Sequence, residues 1–138
     1  MFPFSALAIL VASAQLGQGL VVPAQPRDLE KRIAGTVPIQ ATTTNLWKYD
    51  HCQWDPTLLT LTGYTFNSNS MTPDLCASTC ASKGFKYAGL RDKTYCGCSN
   101  ILGGTGYPID KVHCQYWPCA GNTAIACGGD YALGIYVV

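Results

Sequence analysis

The sequence predicts an α+β fold: a small disulfide-rich domain in which one main helix packs on an antiparallel sheet. Three observations predict it. A helix start and stop bracket Pro73 to Lys83, and two short strand-like runs, Phe85 to Leu90 and Tyr95 to Cys98, follow it. Two cysteines fall on the helix, Cys76 and Cys80, and two on the second strand, Cys96 and Cys98.

The helix is bounded by local chemistry. Thr72 is a good N-cap, Pro73 suits the first helical position, Asp74 complements the positive helix end, and Lys83-Gly84 supplies the stop. Cys76 and Cys80 are one helical turn apart and share a face. Residues 85 to 90 alternate with an apolar bias, and Arg91-Asp92-Lys93 reads as a polar turn. On the returning strand Cys96 and Cys98 again share a face. The helix face and the strand face can therefore be cross-linked twice.

The chain has 138 residues, enough for one small domain plus whatever is removed from its N-terminus. Residues 1–19 carry an apolar run ending in small residues, as in a secretory signal peptide. Residues 20–32 contain two prolines and close on Lys31-Arg32, the pattern of a pro-segment with a dibasic processing site; an exposed charged linker is the alternative. Residues 33–48 are Thr-rich and lack cysteine, so a flexible or O-glycosylated lead-in is expected before a domain over 49–138. The terminal run Ile135-Tyr136-Val137-Val138 is too short for a membrane anchor, and the product is expected to be secreted, in the extracellular space or the cell wall.

Eight cysteines behind a signal peptide form an even set, and four disulfides are expected among Cys52, Cys76, Cys80, Cys96, Cys98, Cys114, Cys119 and Cys127. Metal binding is the alternative, suggested by His51-Cys52 and His113-Cys114, but no zinc-type Cys-x2-Cys spacing occurs, and no metal or other cofactor is assigned. Eight cysteines allow about 105 pairings, so connectivity is not readable from sequence. Geometry favours nested bridges, Cys76 with Cys98 and Cys80 with Cys96, leaving the other four to close the ends of the domain. A core this small needs such bonds, each worth about 2 to 4 kcal/mol. Cys127-Gly128-Gly129-Asp130 reads as a tight turn leading into the last strand, Tyr131 to Val137. Phe85 and Tyr87 on one strand, Leu133, Ile135 and Val137 on the last strand, and Tyr136 are the further core candidates.

Several function classes are excluded by what the chain lacks. After Arg32 the six basic and six acidic residues balance, so no basic stripe exists for nucleic acid or anionic lipid. The Gly103-Gly104-Thr105-Gly106 loop has neither the Gly-Lys-Ser/Thr ending nor the spacing of a phosphate-binding motif. The acidic residues after Arg32 are all Asp, with no pair spaced for glycoside hydrolysis, and no nucleophile or zinc-protease motif occurs; no catalytic residue is assigned.

The succession Met71-Thr72, Cys76, Cys80, Tyr87-Ala88-Gly89-Leu90, Cys96-Gly97-Cys98, Cys114, Pro118-Cys119-Ala120-Gly121-Asn122 and Cys127-Gly128-Gly129, with Leu133 and Tyr136, resembles a WSC domain over Tyr49 to Val138. The resemblance implies a PAN/apple-like fold with four disulfides and a non-catalytic, fungal-type module that binds cell-wall polysaccharide such as β-glucan. The chain departs from the family pattern after Cys52, where Arg-Ala-Leu is missing, and before Cys96, where Thr94-Tyr95 replace the usual acidic residue.

The residues themselves also allow sugar binding, which needs aromatic plates beside short hydrogen-bonding groups. Trp117, Tyr116 and Asn122 form the leading candidate cluster, with Tyr107, Tyr95 and Trp54 as further candidates. Each aromatic has an alternative use as core filling. A second class of function, a secreted cysteine-rich effector-like protein that binds a protein partner, fits the same format.

Overall fold

The computed structural model describes residues 35–138. The signal, the pro-segment with Lys31 and Arg32, and the first residues of the lead-in lie outside the described residues. Among the described residues, eight strands and two helical segments are formed. They are β1 (Lys48–Trp54), β2 (Tyr64–Asn67), α1 (Pro73–Ser82), β3 (Tyr87–Arg91), β4 (Tyr95–Ser99), β5 (Tyr107–Ile109), a 3-10 turn (Lys111–Cys114), β6 (Pro118–Cys119), β7 (Asn122–Ala126) and β8 (Ala132–Val137).

Helix α1 is capped as its sequence requires: the Thr72 hydroxyl accepts from the Leu75 N–H at 3.0 Å, Pro73 opens the first turn and Lys83 is the C-cap. Its buried face is Pro73, Cys76, Ala77 and Cys80. Six strands form one sheet in the order β2-β4-β3-β8-β1-β5, every neighbouring pair antiparallel. β6 and β7 form a separate hairpin.

The sheet has two covered faces. On the helix side Cys76, Ala77, Cys80, Ala88, Leu90, Cys96, Cys98 and Tyr136 pack in one cluster with Met71 and Trp47. On the other side Leu61 from the β1–β2 connection meets Leu133 and Ile135, flanked by Tyr87 and Tyr95. Gly89 makes room for that contact, since a Cβ there would lie 2.6 Å from Leu61 Cδ1 and 2.7 Å from Leu133 Cγ. Phe85 and Tyr87, expected together, serve opposite faces. Phe85 lies before β3 begins and packs on the helix side, whereas Tyr87 is in the strand and packs with Leu61.

All eight cysteines are paired: Cys52–Cys114, Cys76–Cys96, Cys80–Cys98 and Cys119–Cys127. The nested expectation for the central four is corrected, and the reason is direction. β3 runs back from the helix and β4 reverses again, so α1 and β4 run the same way. Their half-pairs then meet in order, first with first and second with second, at Cα separations of 5.6 and 5.3 Å. Nested bridges would need α1 and β4 to run in opposite directions.

The Thr-rich segment, expected as a flexible lead-in, lies against the domain from residue 37 onward. Val37 N–H donates to the Gln115 carbonyl, Ala126 N–H to Pro38, and Tyr49 N–H to Ala41. The Tyr136 hydroxyl donates to the Gln40 carbonyl at 2.6 Å, and Asp74 accepts from the Gln40 amide and the Thr44 N–H. Trp47 at its end is buried in the helix-side core. One large aromatic with satisfied backbone outweighs what Thr-rich composition suggests.

Candidate functional site

The antiparallel pairing of β3 with β8 brings two turns together. Leu90 opposes Gly134, so the Arg91-Asp92-Lys93 turn lies beside the Gly128-Gly129-Asp130-Tyr131 turn that starts β8. Hydrogen bonds hold the second turn and the β6–β7 hairpin to each other and to the first: Trp117 N–H donates to Gly128, Cys127 N–H to Trp117, and Ala120 N–H to Lys93. Three non-glycine residues at these turns adopt left-handed backbone, Asp92 (φ 52°), Lys93 (φ 72°) and Tyr131 (φ 56°). Such conformations are costly and cluster where the surroundings demand them.

Between the turns opens a cavity of about 380 Å³ lined by Arg91, Asp92, Asp130 and Tyr131. Arg91 is nearly buried; its Nη1 donates to the Asp55 carbonyl at 2.6 Å and its Nε to Asp92 Oδ2 at 2.8 Å. Its guanidinium lies 5.5 Å from the centre of the Tyr131 ring, a cation–π arrangement that steadies the ring. Tyr131 remains half exposed and meets Trp54 edge to face, centroids 5.7 Å apart. Trp117 Nε1 donates to Asp130 Oδ1 at 2.9 Å, and the Lys93 ammonium stands 4.6 Å above the Trp117 ring. The result is a band of aromatic and charged groups along one end of the sheet.

The sequence candidates divide on this surface. Trp54, Trp117 and Tyr107 lie along or beside the band: Trp54 and Tyr107 are direct partners across β1 and β5, and Tyr107 is exposed. Tyr116 is also exposed, but its ring pairs edge to face with His113 of the 3-10 turn, not with the cavity. The Asn122 side-chain Oδ1 accepts from the Ala124 N–H at 3.0 Å, closing its own strand start. Tyr95 packs beside Leu61, and its hydroxyl pKa is raised, first by burial and then by Asp55, with Arg91 opposing. None of the six, Trp54, Tyr95, Tyr107, Tyr116, Trp117 and Asn122, lines the cavity itself. The four residues that do line it were missed as site residues, although both turns were legible. What was missing was the β3–β8 pairing that apposes them.

A second hollow, about 390 Å³, is lined by Pro38, Ile39, Ala41, Tyr49, Lys111 and Gln115, mostly apolar. The histidine-cysteine pairs hold no free thiol: Cys52 and Cys114 bond to each other, and His51 Nδ1 and Nε2 lie 2.6 Å from Asp50 and 2.8 Å from Gln53. Among the described residues, no helix is long and apolar enough to cross a membrane.

Comparison with known proteins places the chain. The WSC domain family matches residues 49–129. A WSC domain-containing protein of Arthroderma benhamiae is 33% identical over 114 residues, covering 78% of this chain and 12% of that protein. A region of "Xylosyltransferase oxt" from Drosophila pseudoobscura pseudoobscura is 34% identical over 73 residues, 53% of this chain and 8% of the relative. Kremen protein 2 of Mus musculus is 34% identical over 80 residues, 56% of this chain and 17% of its own length. The chain thus spans under a fifth of each of these relatives.

Proposed function

Because the chain belongs to the WSC domain family, a carbohydrate-binding-like class of module, we propose that it is a secreted, non-catalytic module that binds cell-wall polysaccharide, β-glucan or a related glycan. The observation that carries this reading is the half-exposed Tyr131 ring, held over a cavity whose other walls are Arg91, Asp92 and Asp130. A sugar ring offers an apolar C–H face to an aromatic plate and a rim of hydroxyls to fixed polar groups. The band supplies both within one cavity. Trp54 backs the plate, and Tyr107 extends it for a polymer longer than one unit. Relatives as different as a WSC domain-containing protein and a xylosyltransferase share the domain as a small part of their length, as expected of a portable binding unit.

The test is retention of the oxidised protein on insoluble β-1,3-glucan, chitin, xylan and mannan, with Tyr131→Ala alongside. Retention on at least one polymer is expected, reduced about two- to twelvefold in the variant if stacking supplies about 0.5 to 1.5 kcal/mol. A folded wild-type protein retained on none of the four would overturn the reading.

The reading as a secreted protein-binding factor is favoured by one observation. Leu59 and Ile101 are strongly exposed on two loops joined by the Gly103 N–H donating to the Thr60 carbonyl. Retention unaffected at Tyr131, together with capture of a protein partner lost in Leu59→Ser, would support it.

A further inference from the structure

The indole of Trp117 is the obvious stacking plate by sequence, yet its surroundings suit a different task. One side of the ring is occupied by the Lys93 ammonium at 4.6 Å, and the ring is only partly exposed. Its N–H is committed to Asp130 Oδ1 at 2.9 Å. Its backbone is pinned on both sides, by Gly128 and by Cys127.

We propose that Trp117 is a positioning residue, whose N–H aims the Asp130 carboxylate into the cavity, and that Asp130 accepts hydrogen bonds from the hydroxyls of a neutral sugar ring lying on Tyr131. The inference rests on the carbohydrate reading and assigns the hydroxyl-reading group within it. Asp130 suits the role because of what it lacks. Arg91 pairs with Asp92, whereas among the described residues Asp130 forms no ion pair, and its second oxygen takes no hydrogen bond. Lys93 stands over the indole face and forms no ion pair with that carboxylate. An ionised carboxylate with a free oxygen accepts O–H donors strongly, and one held at a fixed angle loses little freedom on binding. The same unpaired carboxylate disfavours a sugar that carries a carboxylate or sulfate. The ligand class is therefore a neutral, hydroxyl-bearing glycan, and polyuronates are disfavoured.

The experiment compares wild type, Trp117→Phe, Trp117→Ala and Asp130→Asn, each checked for an unchanged unfolding midpoint. Binding is measured to soluble fragments of whichever of the four polymers retains the wild type, and to polygalacturonate. Trp117→Phe keeps an aromatic plate but removes the N–H. It should weaken neutral-glycan binding about tenfold, as should Asp130→Asn, the worth of a charged hydrogen bond. The double variant should lose little more, because both act through one carboxylate. Asp130→Asn should also narrow the preference over polygalacturonate, and the Trp117 indole N–H resonance should shift when neutral glycan is added. If Trp117→Phe binds as wild type while Trp117→Ala does not, Trp117 is a plate and the inference falls alone. If Asp130→Asn leaves affinity and selectivity unchanged, it also falls alone. If the wild type binds no polymer, the carbohydrate reading falls and takes this inference with it.

Discussion

The helix-covered side of the sheet and the turn end that carries the cavity are built on opposite principles. On the helix side the core is cross-linked: two bridges join α1 to β4, and the central small residues, Ala77, Ala88 and the cysteines themselves, are buried with none of the left-handed non-glycine residues among them. At the turn end the backbone is strained at Asp92, Lys93 and Tyr131, polar groups dominate, and a large ring is left in solvent. The difference indicates where stability is generated and where it is spent. A domain with little apolar core holds costly turns only because the sheet beneath them is stapled.

The sharpest way to break that comparison is to remove a bridge from each region. Replacing Cys76 and Cys96 together by Ala should cost about 2 to 5 kcal/mol and abolish glycan retention by unfolding the domain, as followed by chemical denaturation. Removing Cys119 and Cys127, which close a loop of sequence separation 8 rather than 20, should cost about 0.8 kcal/mol less on loop entropy alone. Its first consequence should be functional, because that bridge closes the hairpin that begins beside Trp117. Equal losses of stability, with retention tracking stability in both, would show that the two regions are not distinct.

A gentler change sharpens the contrast at the turn itself. Tyr131→Asn suits the left-handed backbone, recovering about 1 kcal/mol or more of strain, but loses ring contacts worth about 0.5 to 1.5 kcal/mol. The two offset, so stability should stay within about 1 kcal/mol of wild type while polymer retention falls as in Tyr131→Ala. A fall of several kcal/mol with retention intact would place Tyr131 in the core and remove it from the site.

How far each region was legible follows from the same contrast. The stapled side was readable because its signals are local: Thr72-Pro73-Asp74 starts a helix, Lys83-Gly84 ends it, and thiols at i, i+4 and i, i+2 mark the faces that meet. Even there the pairing order needed one further step, the relative direction of α1 and β4. The role of residues 36–48 was hidden because it depends on Trp47 reaching a core formed by residues far along the chain. β1 was hidden too; its alternation is blurred by Asp50, His51 and Gln53, and it is fixed by pairing with β8. The site suffered most. Arg91 and Asp130 were each visible in a turn, but only the sheet order, with β3 beside β8, makes them walls of one cavity. Asn122, attractive beside Trp117 in sequence, turns its side-chain oxygen to its own strand start.

The smallest predicted effect concerns a polar flaw on the helix side. Among the described residues, the Tyr49 hydroxyl is buried without a hydrogen-bond partner, and its ring meets Tyr136 edge to face at 5.6 Å. Burial first, then the carboxylates of Asp50 and Asp110, push its pKa up to about 12 from 10.0. A phenol whose pKa is raised by folding stays protonated in the folded chain while the unfolded chain ionises. Its stabilising contribution is therefore complete below about pH 10 and is lost as pH rises from there through about 12. Tyr49→Phe deletes both the unpaired hydroxyl and the titration. Near neutral pH it should change stability by less than about 1 kcal/mol, with a gain the expected sign, since no hydrogen bond is sacrificed. Above pH 10 the variant should lose stability less steeply than wild type in denaturation midpoints taken at rising pH. A loss of 2 kcal/mol or more at neutral pH would mean that the hydroxyl has a partner after all, and parallel alkaline slopes would assign that titration to Tyr136, whose pKa burial raises further.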